Sequence, residues 1–233
     1  MRFVLAICVL LGGLMPLSVA YAQQVVCEIP PDQQPGLRVN LEVAQPVMDY
    51  TKTREELKQF DINSISPYGM GPTVHVNGLT RGAVGFETKA GLHWIKYEKI
   101  DQNCFWYANV EITIKLKPTV YLAREIQHDG CLYREVTNHE MKHVAIDVQL
   151  AKDYQVILQD EIERFIRQTP AIGPYPLVQK QQAQDWLTTR LDQTIKAVFA
   201  RLNVERLKRQ ATIDTREEYE RVAQLCPGAV GSM

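Results

Sequence analysis

The chain has 233 residues, 45% of them hydrophobic, and its 26 Lys and Arg against 27 Asp and Glu give a formal net charge of −1. That length can bury a core of its own. The near-neutral balance leaves no electrostatic case for nucleic acid or an anionic membrane surface as a partner.

The first residues read MRFVLAICVLLGGLMPLSVAYAQQ. Arg2 precedes an apolar run from Phe3 to Leu17, and Ala20-Tyr21-Ala22 fits the small-x-small cleavage rule, so 1–22 reads as a signal peptide. The run is short for a membrane span, and no later run reaches spanning length. Cys8 lies too early in the run for lipid attachment. The mature protein, 23–233, is expected to be soluble, periplasmic or extracellular, without a membrane partner, and built as one domain. Its 211 residues (233 minus 22) keep four cysteines, Cys27, Cys104, Cys131 and Cys226. An even count in an exported chain implies two disulfides. The expected pairs are Cys104–Cys131, tying a strand to the start of a helix, and Cys27–Cys226, tying the two ends together. No CxxC spacing supports a cysteine-ligated metal.

From Gln23 to about Gly36 the chain is rich in Pro and Gln and reads as loop. Val43 to Tyr50 reads as a short strand. Thr53, with Glu56 three residues on, forms a capping box that opens a short helix in REELKQF. Asn63 to Gly82 is rich in Ser, Pro and Gly and reads as an irregular connection. Val84 to Ile100 holds strand material, clearest at His93 to Tyr97. Phe105 to Leu116 is the strongest strand: Val110, Ile112, Ile114 and Leu116 alternate with Glu111, Thr113 and Lys115, so one face should pack on the core. Pro118 is expected to end that strand or place it at an edge.

A helical pattern runs from about Tyr133 to Gln168, with Ile146, Leu150, Tyr154, Ile157, Ile162 and Phe165 on one face. TPAIGPYP, Thr169 to Pro176, breaks it. A second helix to about Gln210 carries the stripe Leu187, Leu191, Ile195, Val198, Leu202. The two helices suggest an antiparallel hairpin over about 133–210. TIDTREEYERVAQLCPG reads as a short final helix ending at Cys226-Pro227-Gly228. The class is α+β: a small antiparallel or mixed sheet packed on a long helix, followed by a second long helix.

Within the first long helix, His139, Glu140 and His143 spell H-E-x-x-H. Residues i and i+4 share a helix face one turn apart, so both imidazoles can reach one ion. Glu140 lies about 100° round from His139, beside such an ion rather than bound to it. Zinc accepts imidazole nitrogen and keeps one position open for water in catalytic sites. It lowers the pKa of that water to about 7 and polarises carbonyls. Glu140 is then placed as the general base.

This arrangement resembles the zincin metallopeptidases, whose motif helix packs beneath a sheet with an edge strand that pairs with an extended substrate. The resemblance implies a zincin-like fold, Zn2+ as cofactor, and a peptide or protein substrate, cell-wall peptide included. It makes Val110 to Leu116 the candidate edge strand. More narrowly, the order strand, Cys, HEMKH, helical hairpin and late Asp segment resembles the bacterial domain-of-unknown-function family 922, described as secreted zinc-dependent proteases. That likeness spans about Val43 to Gln224, with HEMKH as its only specific motif.

Catalytic zinc usually takes three protein ligands. Metzincins place a Gly three and a His six residues after the second motif His; here those positions are Ile146 and Gln149, which excludes that class. Glu161 and Glu163 would lie about 27–30 Å along one helix from His143. Four candidates stand. Asp147 is one turn past His143 and reads better as a partner holding an imidazole N–H. Glu205 continues the apolar stripe of the second helix, and a symmetric hairpin would bring 201–205 opposite the histidines. Asp214, in Ala211-Thr212-Ile213-Asp214, partly resembles the G-T-x-D of aspzincins, departing at Ala211. Glu218 is the fourth. Asp214 is the choice, with Glu205 next, and Tyr219 is a candidate donor to an oxyanion or a core tyrosine. His75, His93 and His128 read as loop, strand and turn residues. The competing expectation is an exported binding or assembly protein whose HExxH is structural or vestigial.

Overall fold

The computed structural model describes residues 26–60 and 75–226. The expected signal peptide, the Asn63 to Gly82 connection up to residue 74, and Pro227-Gly228 lie outside these residues. The architecture is mixed α+β. In chain order the elements are β1 (Gly36–Val43), β2 (Val47–Asp49), α1 (Arg54–Lys58), β3 (Gly78–Tyr97), β4 (Gln102–Leu122), α2 (Gly130–Gln168), β5 (Ile172–Tyr175), α3 (Lys180–Ala211) and α4 (Arg216–Leu225).

The sheet is organised around β4. β3 pairs with it antiparallel from Gly78↔Leu122 to Tyr97↔Gln102. Along the other edge β1 pairs parallel from Gly36↔Asn109 to Val43↔Leu116, β2 pairs parallel from Val47↔Thr119, and β5 pairs antiparallel near Phe105. The alternation in VEITIKL has the expected consequence: Val110, Ile112, Ile114 and Leu116 are buried, while Glu111, Thr113 and Lys115 face outward. Lys115 there bridges Glu42 and Glu87 on the flanking strands.

Three strand expectations need correction. β4 is interior, paired on both edges, so Val110 to Leu116 cannot be an edge strand. Pro118 does not end β4, which runs on to Leu122. β1 stops pairing at Leu116 and β2 starts at Thr119, so the missing N–H of Pro118 falls where the neighbouring strand is interrupted. The strand expected at Val43 to Tyr50 is two, with β1 beginning at Gly36; Leu37, Val39 and Leu41 supply its inward period-2 face.

The capping box of α1 is present, with Thr53 Oγ1 accepting from Glu56 N and Glu56 accepting from Thr53 N. α2 starts on Asp129, whose carboxylate accepts from Cys131 N and Leu132 N. The expected helical hairpin forms. Leu150, Tyr154, Leu158, Ile162 and Phe165 of α2 and the Leu187 to Leu202 stripe of α3 enclose one core with the sheet. Each such side chain contributes about 1.5–3 kcal/mol by burial. Ile157 is exposed because Leu158 takes the inward position on that stripe.

Both disulfides pair differently from expectation: Cys27 joins Cys104 and Cys131 joins Cys226, with Cα separations of 5.6 and 5.7 Å. From Cys104 to its end, β4 carries the chain about 60 Å at roughly 3.3 Å per residue, far from where α2 begins. A disulfide needs Cα atoms within about 7 Å. Cys104 therefore meets the N-terminal segment, while Cys131 in the first turn of α2 meets the end of α4. Two disulfides point to an oxidising environment. No helix among the described residues is long and apolar enough to cross a membrane.

Candidate metal centre

The H-E-x-x-H turn of α2 is buried: His139, Glu140, His143 and Asp147 are all 7% exposed or less. Room for these polar groups comes from β3, which crosses this turn with small residues on one face. A Cβ on Gly78 would sit 2.6 Å from Glu140 Oε1, and one on Gly82 would sit 2.0 Å from Asp147 Oδ2. Between them Thr80 Oγ1 lies 2.7 Å from Glu140 Oε2 and 3.1 Å from the Glu140 carbonyl. Gly78 to Gly82 is thus strand, not the irregular connection expected from its composition. Its glycines serve close approach rather than a turn.

Asp214 reaches the same turn from the connection between α3 and α4. Thr212 N and Ile213 N close the end of α3 on the carbonyls of Arg209 and Gln210, and Thr215 caps α4 by accepting from Glu218 N. Asp214 is held between these two caps with its side chain 6% exposed. Its Oδ1 lies 3.2 Å from His139 Nε2 and 3.2 Å from His143 Nε2, and the two Nε2 atoms are 3.2 Å apart. Asp214 Oδ2 is buried without a hydrogen-bond partner.

Three ligand-type atoms at the corners of a 3.2 Å triangle match one face of a tetrahedron. For metal–ligand bonds of about 2.0–2.1 Å such a face has edges of about 3.3–3.4 Å. The cluster can hold a metal ion, and no fourth His, Cys, Asp or Glu joins it among the described residues. Two imidazoles and one carboxylate fit zinc, which takes such donors in three-ligand sites.

The electrostatics follow from burial and proximity. Burial pushes the Asp214 carboxyl up, but hydrogen bonds and charge from His139 and His143 outweigh it and hold the group well below the usual carboxylate range. Burial pushes His143 down, yet the hydrogen bond to Asp214 and the charges of Glu140 and Asp214 carry it up to about 9. At Glu140 burial is the stronger influence and raises the carboxyl against the pull of both histidines and Thr80.

The remaining candidates lie elsewhere. Glu218 is on the far side of His139, with Oε1 3.5 Å from Nδ1 and 2.6 Å from Lys142 Nζ; Arg221 grips both of its oxygens. The Arg221 hydrogen bonds pull its carboxyl down to about 2. Glu205 is not in the cluster but pairs with Arg209, 3.0 Å away, which also binds Asp153. The connection after α2 holds a strand and a helical turn, so α3 starts only at Lys180. This shifts the hairpin register and puts Gln210, not 201–205, opposite His143. Asp147 supports the site without touching an imidazole: its partners are Arg206 and Gln210. Tyr219 packs edge-on against His139 with ring centroids 5.9 Å apart. His93 lies on β3 against Trp106, and His128 is an exposed turn residue before α2. The sequence reading missed Thr80, Arg206 and Gln210. The signals were a strand spelling Gly-x-Thr-x-Gly and two polar residues spaced i, i+4 at the end of an apolar stripe.

Compared with protein-family models, curated proteins and solved structures, the chain matches none.

Proposed function

We propose that this protein is an exported zinc-dependent peptidase of zincin-like organisation, with His139, His143 and Asp214 as the metal ligands and Glu140 as general base. The observation that carries this reading is the 3.2 Å triangle of ligand atoms beside a buried glutamate that is not part of it. Zinc there would supply an acidified water and a polarised peptide carbonyl.

The chain's own groups have definite tasks in that scheme. Thr80 donates to Glu140 Oε2 and fixes the carboxylate beneath β3, leaving Oε1 as the proton acceptor. Burial strengthens Glu140 as a base, and the same group can return the proton to the leaving amine. β3 has β4 as its only strand partner among the described residues and passes over Glu140. Its outer edge, rather than that of β4, is the one an extended peptide would join. The three-ligand set favours this reading over a structural site, which would close the shell with a fourth protein ligand.

Metal analysis of the purified mature protein should find close to one zinc per chain. Glu140→Gln should keep the metal and lose about 10²- to 10⁴-fold in hydrolysis of a fluorogenic peptide library. His139→Ala should lose both metal and hydrolysis. A wild-type protein that holds no zinc and cannot be loaded sinks the proposal.

A further inference from the structure

The two histidines are held by different partners. His139 Nδ1 makes no hydrogen bond and lies 3.5 Å from Glu218 Oε1. His143 Nδ1 instead contacts Gln210 Oε1 in a short hydrogen bond. The amide nitrogen of Gln210 is 2.6 Å from Asp147 Oδ1 and 3.2 Å from the His143 carbonyl oxygen. Asp147 is in turn gripped by Arg206, with Nε 2.7 Å from Oδ1 and Nη2 2.8 Å from Oδ2.

These contacts fix where each proton sits. A backbone carbonyl and a carboxylate paired with an arginine only accept hydrogen bonds. The Gln210 NH2 must therefore face Asp147 and the His143 carbonyl, because the flipped amide would set its oxygen against two acceptors. Its Oε1 is then committed to His143 Nδ1, so that nitrogen must carry a hydrogen. In neutral imidazole the other nitrogen then keeps its lone pair, and His143 Nε2 is the atom aimed at His139 and Asp214.

We infer that Arg206, Asp147 and Gln210 form a positioning relay that locks His143 in the Nδ1–H form and so presents Nε2 as a metal ligand. The relay orients without touching the reacting atoms. It rests on the metal-binding reading of the preceding subsection for its purpose, but not for its geometry. It also accounts for Gly82, the position where a Cβ would strike Asp147 Oδ2 at 2.0 Å and meet Arg206 Nη2 at 3.0 Å.

Zinc affinity and His143 protonation test the relay together. Gln210→Leu removes the acceptor and should weaken zinc binding by about 10- to 100-fold, the usual cost of losing such a supporting partner. Gln210→Glu keeps an acceptor for Nδ1–H but opposes the Asp147 carboxylate, and should also bind weakly. Long-range 15N–1H NMR of the zinc-loaded wild type should place the His143 proton on Nδ1. Far-UV circular dichroism and Tm separate loss of the relay from loss of the fold. Wild-type affinity in a folded Gln210→Leu, or a proton on His143 Nε2 in the zinc-loaded wild type, overturns the inference. A wild-type protein that cannot bind zinc overturns the metal reading instead. In that case slow exchange of the His143 Nδ1 proton, lost in Gln210→Leu, upholds the relay, and its absence from wild type overturns it.

Discussion

Between Glu135 and Asp147, α2 buries Glu135, His139, Glu140, His143 and Asp147 beside Val136 and Val144; between Leu150 and Phe165 it buries Leu150, Ala151, Tyr154, Leu158, Ile162 and Phe165. One continuous helix thus buries five charged or imidazole side chains among apolar ones over its first half, and only apolar and aromatic ones over its second. The apolar half packs on sheet and α3 and gains from every side chain it removes from water. The polar half must match each buried group with a partner, because a buried charge left alone costs several kcal/mol. It does so with Thr80 from β3, Arg206 and Gln210 from α3, and Asp214 and Arg221 from around α4. Four separate chain segments converge on thirteen residues of helix, counting 135 to 147 inclusive. Burying so many polar groups in one stretch lowers stability unless each is matched, which is what singles this stretch out as the candidate site.

The sharpest way to break this contrast is to remove one polar partner. Asp147→Ala leaves Arg206 without its bidentate acceptor and Gln210 without one of its own. It should cost about 3–5 kcal/mol in urea denaturation of the metal-free protein. A loss below about 1 kcal/mol would place this pair with exposed salt bridges and remove the contrast.

In the apolar half, Leu158→Ala opens a cavity at a fully buried position and should cost about 2–5 kcal/mol. Zinc affinity should not change while the variant remains folded. A matching fall in affinity would mean that the two halves are coupled more tightly than their separate packing implies.

Zinc itself should stabilise only through the polar half. At free zinc one hundred times its Kd, linkage adds about 2.7 kcal/mol, read as a rise in Tm. The increment should be the same in Leu158→Ala and vanish in Asp214→Ala.

The smallest effect is expected just beyond the site, at the half-exposed pair Asp153–Arg209, 2.6 Å apart. The Arg209 hydrogen bond, joined by Gln149, lowers the Asp153 carboxyl from its ordinary value. A depressed carboxyl stabilises the fold above its unfolded pKa of about 3.9, and that contribution is lost as pH falls through the lower folded value. Arg209→Met should therefore cost about 0.2–1 kcal/mol at neutral pH and nothing once the pH is well below 4. A gap that persists in acid would point to the guanidinium's packing rather than its charge.

Local patterns were legible where one segment decides its own structure. The alternation in β4, the capping box of α1, the stripe of α3 and the i, i+4 spacing of His139 and His143 each survive in the structure. Asp214 was legible only through the partial likeness of Ala211-Thr212-Ile213-Asp214 to the G-T-x-D of aspzincins, since no local periodicity marks it. What failed were statements about which distant segments meet. The disulfide partners turned on the 21-residue span of β4. The edge strand turned on β1 and β3 choosing opposite sides of it. Glu205 lost to Gln210 because the connection after α2 includes a strand that pairs back onto the sheet.

The sequence by itself determined a helix carrying H-E-x-x-H, an α+β pattern and a pair of imidazoles one turn apart, because backbone periodicity alone places side chains on a common face. Only the tertiary structure decided that Asp214 completes the triangle, that Gln210 orients His143 and that glycines on β3 make room for Asp147 and Glu140. Those relations depend on register between segments sixty or more residues apart, as Gly82 and Asp147 or His143 and Gln210 are. Register is set by summed packing across the whole core, which no short stretch of chain encodes.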